Sequence, residues 1–211
     1  MNLYDFIKRI IDILGALVGI IIFSPIMAMT TLHIFITSPT GPILADMKKR
    51  MGRGGKEFRM FKFRSMIPNA QRWLEDHPEL YKKYQESGYK LDPDPRLIKG
   101  GNFIRKTSID ELPQFFNILF GDMSLVGPRA YFKYELDEQR SRHPETASDI
   151  DLALTVKPGL TGIWQTSGRS EIGFVERIKM DSTYAKRRDI LYDLLIILKT
   201  PLVVLKRKGA I

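Results

Sequence analysis

Apolar residues are spread unevenly along this chain. From Ile13 to Ile36 they run almost without interruption, broken only by Ser24-Pro25 and dotted with Thr30, Thr31 and His33. Such a run is long enough for a bilayer crossing, which takes ~20 residues. A single spanning helix is therefore the plain reading on hydropathy. Two features favour another. Pro25 sits mid-run, where its ring clashes with the preceding turn and removes one hydrogen bond, so a kink is expected. The flanks are basic on both sides, Lys8 and Arg9 before and Lys48, Lys49 and Arg50 after, which assigns both ends to the cytoplasmic side. A kinked helix that enters one leaflet and returns meets both conditions with its backbone bonds satisfied internally. A cleaved signal peptide fits less well, because the run is long for one and no small-x-small cleavage site follows it.

After a turn at Pro39-Thr40-Gly41-Pro42 the pattern changes. Phe58 to Phe63 alternates apolar and basic residues at period 2, the signature of a strand with one basic face, and Gly54-Gly55 suits a hairpin between it and the preceding short strand. Asn69 to Gln85 is helical in pattern, with Pro78 breaking it or starting a second helix. Asn102 to Lys106 reads as a short helix and Ser108 to Phe120 as another, ended by Gly121. Met123 to Val126, Leu152 to Val156 and Thr161 to Gln165 are strand candidates. Tyr131 to Arg142, Glu171 to Lys186 and Asp189 to Lys206 are helices. The last is very apolar yet interrupted by Lys199 and Pro201 and followed by Arg207-Lys208, so it reads as an amphipathic helix lying in the membrane interface or on the core. The expectation is an α+β chain, mainly helical with a small β-hairpin or sheet. Residues 1–38 would form the re-entrant membrane helix and 39–211 one catalytic domain at the interface.

Composition narrows the chemistry. The 211 residues carry a net charge of +9, which favours anionic partners: lipid head groups, nucleotides or nucleic acid. No nucleic-acid recognition motif appears, and the basic residues are interleaved with membrane-grade apolar runs. There is no Cys, so disulfides and Cys-based zinc sites are excluded. The three His are far apart without metal-ligand spacing. Carboxylates, Arg, Lys and backbone amides are left to do any chemistry. Gly52-Arg53-Gly54-Gly55-Lys56 lacks the spacing of a phosphate loop and reads as a turn.

Asp110-Glu111 is the principal candidate for chemistry. Ser108-x-x-Glu111 fits a capping box, and acids in a first turn suit the helix macrodipole, so a purely structural role is open. The alternative is a carboxylate that attacks phosphorus, with both acids sharing Mg²⁺ and substrate phosphate oxygens. Around it stand Lys62, Arg64, Arg96, Arg105, Arg129 and Arg169 in short segments bearing Gly and Pro. The guanidinium fork fits phosphate oxygens, although any one such residue is ordinarily a solvated charge.

Together these segments resemble the monotopic phosphoglycosyl transferases, or bacterial sugar transferases. The resemblance rests on Lys62-Phe63-Arg64-Ser65-Met66, Asp94-Pro95-Arg96, Arg105 through Gln114, Gly121 through Arg129, Lys157 through Gly162 and Gln165 through Arg169, in register over nearly the whole chain. It is similar in particular to the catalytic part of undecaprenyl-phosphate galactose or glucose phosphotransferases. The resemblance implies Asp110 as nucleophile, Asp110 and Glu111 with Mg²⁺, and a re-entrant helix broken at Ser24-Pro25. It implies substrate contacts at Lys62, Arg64, Arg96, Arg105, Pro128, Arg129, Arg169 and Asp181. Its implied partners are a UDP-sugar, undecaprenyl phosphate and membrane phospholipid, with room for a homodimer, at the cytoplasmic face of a bacterial inner membrane. The implied reaction starts surface polysaccharide synthesis. Two departures touch sugar and nucleotide contacts: Lys49-Arg50 stands where members often have Gln-Arg, and Ala130 stands where Pro usually follows Pro-Arg. A glycosyltransferase releasing UDP, and a non-catalytic membrane protein that binds nucleotide-sugar, are the competing readings.

Overall fold

The computed structural model describes residues 3–45, 48–86, 91–168 and 172–206. Its first element, α1, runs from Leu3 to Thr37 as one 35-residue helix that includes Pro25. Pro25 cannot donate to the Ile21 carbonyl. The Ser24 hydroxyl does so instead at 2.9 Å, so the pair supplies its own repair and the helix continues. The C-terminal end of α1 is closed by Arg64, which donates to the Ser38 carbonyl at 2.6 Å, the Ser38 hydroxyl at 2.7 Å and the Pro42 carbonyl at 2.6 Å.

One narrow stripe of α1 is buried: Asp12, Ala16, Gly19, Thr30 and Ile34. Its other faces expose Leu3, Ile7, Ile10, Leu14, Leu17, Val18, Ile21 and more, an apolar surface far larger than a water-facing helix carries.

The hairpin expected at Gly54-Gly55 forms. β1 (Lys49–Met51) pairs antiparallel with β2 (Glu57–Arg59), and both glycines hold positive φ in the turn. The polar helical stretch is split as Pro78 suggested, into α2 (Ala70–Glu75) and α3 (Pro78–Glu86). α4 (Gly101–Lys106) follows. The single helix expected over Ser108–Phe120 is two pieces: a 3₁₀ turn at Ile109–Glu111, then α5 (Gln114–Phe120), because Pro113 cannot continue the hydrogen-bond ladder. Gly121 ends α5 in the left-handed region.

β3 (Ser124–Val126) leads through α6 (Lys133–Arg142) and α7 (Ala147–Ala153) to β4 (Gly159–Thr161), which pairs parallel with β3. Two strand expectations fail here. Leu152-Ala153 completes α7, because Ile150 and Ala153 share the face packed on the core at helical spacing; the β-branched Thr155-Val156 disguised that end. Only Thr161 of the second candidate is strand, and α8 (Ile163–Ser167) starts after Gly162. α9 (Phe174–Arg187) and α10 (Ile190–Lys206) close the described chain. α10 exposes Leu191, Leu194, Leu195, Leu198 and Leu202 along one side, and its basic tail at 207–208 lies outside the described residues. The molecule is thus mainly helical with two small two-stranded sheets.

The core joins α1 to α5 and β3. Phe23 stacks on Phe115 at 6.1 Å, and a Cβ on Gly19 would come within 2.6 Å of the Phe115 ring, so α5 approaches α1 more closely than any larger residue permits. The buried Asp12 carboxylate accepts from the Ser124 hydroxyl and the Leu125 amide, each at 2.9 Å. Arg9 donates to the Ile118 and Leu119 carbonyls at the end of α5, where a cation suits the helix dipole.

Candidate active site

Asp110 sits in the 3₁₀ turn between α4 and α5, and its side chain is almost wholly buried. The expected capping box is absent. Ser108 takes a left-handed conformation, φ 58°, and its side chain caps nothing. Such a conformation is strained in a non-glycine residue, by roughly 1–3 kcal/mol, and persists only where its surroundings impose it. Here the Ser108 amide donates to the Arg105 carbonyl and the Ser108 carbonyl accepts from the Glu111 amide. The turn presents its two acids differently: Asp110 points inward and Glu111 remains 42% exposed.

Lys62 answers both. Its Nζ lies 2.8 Å from Asp110 Oδ2 and 3.6 Å from Glu111 Oε1. The segment bearing Lys62 is fixed from three sides. The Phe63 amide donates to the Asp110 carbonyl at 2.9 Å, the Ala45 amide donates to the Lys62 carbonyl at 2.8 Å, and fully buried Asn117 of α5 accepts from the Phe61 amide and donates to the Arg59 carbonyl. Burial lifts the Asp110 carboxyl above the usual carboxylate range. Lys62 and Arg105 oppose that shift and Glu111 adds to it.

The other predicted cations divide into two kinds. Arg64 spends its guanidinium on Ser38, Pro42 and Met66, inside the fold. Arg96 makes a bidentate pair with Asp94 at 2.9 and 2.8 Å, stacks over Tyr84 and is buried. Arg105 stays within electrostatic reach of Asp110, with Met66 as its side-chain neighbour. Arg129 follows buried Pro128 on the loop after β3 and lies over the Trp164 ring, 5.0 Å from its centroid. Asp181 of α9 is 1% exposed. It accepts from the Arg129 amide at 3.2 Å and the Tyr131 hydroxyl at 2.8 Å, holding that loop from behind. Burial raises Asp181 to about 7 against the opposing pull of those two donors and the charges of Arg129 and Arg177. Arg169 lies outside the described residues.

In the sequence Arg50 stands in a basic flank and in the Lys49-Arg50 departure from the family pattern, without a role of its own. In the fold it donates to the Ala130 carbonyl, covers the Phe132 ring at 3.2 Å, and is pushed down to about 10 by burial and by Arg129, with Glu111 among the acids opposing the shift. It therefore links the dyad to the Pro128-Arg129 loop. Its apolar-basic alternation with Met51 was the available signal. Arg177 was also missed, although it stands four residues before Asp181 on one helix face.

The acids fit Mg²⁺ in a limited sense. Among the described residues no group of three His, Cys, Asp or Glu side chains converges. Two adjacent carboxylates, one partly exposed, match a cation that keeps most of its shell from water and substrate phosphate rather than one caged by protein.

A family model described as bacterial sugar transferase matches residues 3–207. An undecaprenyl-phosphate galactose phosphotransferase of Salmonella typhimurium is 42% identical over 97% of this chain, which spans only 42% of that relative. A UDP-glucose:undecaprenyl-phosphate glucose-1-phosphate transferase of Escherichia coli is 34% identical over 92% of this chain and 39% of its own length. The exopolysaccharide production protein ExoY of Sinorhizobium fredii is 36% identical, covering 95% of this chain and 86% of the relative.

Proposed function

The chain belongs to the bacterial sugar transferase family, and from that premise we propose that it moves a hexose-1-phosphate from a UDP-sugar to undecaprenyl phosphate, releasing UMP. The observation that carries this reading is the buried Asp110 carboxylate, ion-paired to Lys62 beside a half-exposed Glu111, in a strained turn next to Arg105. A carboxylate nucleophile needs such a site: dry enough to be reactive, with a cation to keep it ionised.

Asp110 attacks the β-phosphorus of the nucleotide-sugar. The Asp110 O–P bond forms as the P–O bond to UMP breaks, leaving a sugar-phospho-aspartate. An oxygen of the polyprenyl phosphate then attacks that phosphorus, the aspartyl O–P bond breaks, and Asp110 is regenerated. Asp110 and Glu111 would hold Mg²⁺, which when bound neutralises charge on the diphosphate. Lys62 orients the nucleophile, and Arg105, Arg50 and Arg129 stabilise the phosphate oxygens.

The anchorage of α1 supports a monotopic arrangement on the cytoplasmic face of the inner membrane. At one end Lys8, Arg9 and Asp12 bind α10, α5 and β3; at the other, Arg64 holds Ser38 and His33 meets the Lys99 carbonyl. Ties at both ends to one polar body favour keeping those ends on one side of a bilayer, because the polar groups they engage stay out of the hydrocarbon. Its exposed apolar faces and the leucine stripe of α10 are then the surface set into one leaflet. Product sugar-lipid would enter surface polysaccharide synthesis, the role that the ExoY name carries.

Asp110→Asn assayed with UDP-sugar and undecaprenyl phosphate is expected to lose transfer. Retained transfer, or UDP rather than UMP among the products of the unaltered enzyme, overturns the reading. The chain has no Cys, so single cysteines at Leu3 and Ala45 report topology directly and should label from the same side.

A further inference from the structure

A cavity of about 100 Å³ lies where the first turns of α1 meet β3, α9 and the loop before β4. That is room for several waters or for one phosphate group. Asp110, Glu111, Lys62 and Arg129 do not border it, so it is separate from the site above. Five cations line it against two acids. Both acids are answered within the fold. Asp5 accepts from Arg188 at 3.0 Å, and Asp12 accepts from Ser124 and Leu125 with Lys8 3.9 Å away. Lys8 itself pairs with Asp193 at 2.8 Å. Arg9, Arg53 and Lys157 are left. Arg9 gives two N–H groups to the Ile118 and Leu119 carbonyls and keeps others to donate. Exposed Arg53 and half-buried Lys157 have no hydrogen bond or ion pair among the described residues. Lys157 Nζ and an Arg9 terminal nitrogen face one point over Gly121, 3.5 and 3.6 Å from where a Cβ would stand. Burial and the charges of Arg9 and Arg53 lower the pKa of the Lys157 ammonium against the pull of Asp12 and Asp122. Unpaired cations converging on a cavity are costly for the chain alone and suited to an anion.

The surroundings specify the anion. Asp5, Lys8, Arg9 and Asp12 share one face of α1 through their spacing of three and four residues. The other faces of the same turns expose Leu3, Phe6, Ile7 and Ile10. A soluble anion would use the cavity alone. A phospholipid uses both surfaces, its phosphate among the cations and its acyl chains against the apolar side of the helix. A zwitterionic head group would bring its own cation up against Arg53 and Lys157, so the charge favours an acidic one. We propose that Arg9, Arg53 and Lys157 bind the phosphodiester of an acidic phospholipid whose acyl chains lie along the exposed side of α1. This inference rests on the reading that α1 is set into one leaflet, and it adds a fixed lipid position apart from the acceptor lipid that reacts at Asp110.

The test uses the full-length protein in detergent micelles containing phosphatidylcholine, with phosphatidylglycerol exchanged in at constant total lipid. The thermal midpoint should rise and saturate, and inorganic phosphate at equal concentration should not raise it. One cation at an anionic lipid surface counts for about fivefold in affinity, so Arg53→Gln and Lys157→Gln should each raise the half-saturating phosphatidylglycerol fraction by about that factor. Lys56→Gln combined with Lys133→Gln removes charge from exposed positions off the cavity and should leave that fraction unchanged. Arg53 is exposed in a turn, so its variant tests the site even if Lys157→Gln folds poorly. The lipid site is overturned by a midpoint that does not saturate, by an equal shift in the Lys56 and Lys133 control, or by an equal rise with inorganic phosphate. Failure of the one-leaflet reading is read separately, from cysteines at Leu3 and Ala45 labelling from opposite sides.

Discussion

Lys62→Met isolates the electrostatics of the nucleophile. The Lys62 ammonium stands 2.8 Å from Asp110 Oδ2. At an effective dielectric of about 20, charges at that distance attract by about 6 kcal/mol. The Lys62 side chain is 33% exposed, so solvent screening removes a large share. What remains is about 2–3 kcal/mol in favour of the ionised carboxylate. Removing Lys62 should therefore lift an Asp110 carboxyl that burial already raises. The nucleophile works ionised, so activity disappears as pH falls through its folded-state pKa, and in the variant that loss comes at higher pH. The acidic limb of kcat/KM for UMP release should move to higher pH, with the deficit shrinking as pH rises. Lys62→Arg keeps the charge and should return the limb most of the way. A loss equal at every pH, with the limb unmoved, would refute the ion-pair argument and leave Lys62 acting on substrate alone.

Other consequences are more direct. Arg64→Met strips partners from the Ser38 and Pro42 carbonyls at the end of α1 and should cost about 2–4 kcal/mol, read as a lower thermal midpoint in nanodiscs. Asn117→Leu keeps volume but leaves the Phe61 amide and Arg59 carbonyl unpaired; it should lower stability by about 1–3 kcal/mol and reduce kcat further by releasing the segment that carries Lys62. Chelation of divalent ions should abolish turnover, added Mg²⁺ should restore it, and calorimetry should detect strong Mg²⁺ binding only with nucleotide-sugar present, because the chain supplies two carboxylates rather than a cage.

What could be read along the chain was the chemistry held in local spacing. The hairpin at Gly54-Gly55 needs positive φ at two neighbours, and only glycines advertise that cheaply. Pro78 and Gly121 punctuate helices for equally local reasons. The β3–β4 pairing joins Ser124 to Gly159, and no local pattern announces a partner so far away. Ser108 was misread because a capping box and a left-handed turn can share one sequence; the Arg105 carbonyl and Glu111 amide decide between them. The cations were legible as a set but not by duty. Arg64, in Lys62-Phe63-Arg64-Ser65, and Arg129, after Gly127-Pro128, read alike as candidate phosphate cations, yet one is consumed closing α1 and the other lies over an indole. Burial, which makes that distinction, is a property of the assembled core.

The same core ties the chemistry to the apolar helix. The turn bearing Asp110 is joined through Pro113 to α5, and α5 presses Phe115 into the gap left by Gly19 of α1 while its last carbonyls receive Arg9. Asn117, from the same short helix, holds the segment that brings Lys62 to Asp110. The depth of the nucleophile relative to the apolar face of α1 is thus set by close packing, which tolerates little adjustment, rather than by a loop. The Asp12 contacts to Ser124 and Leu125 extend that fixed distance to β3, and β3 carries the chain to Arg129. The dyad and the arginine loop are registered to the same helix. On the transfer reading, a lipid phosphate at head-group depth and a soluble nucleotide-sugar can then reach one carboxylate without a large movement of either half of the site.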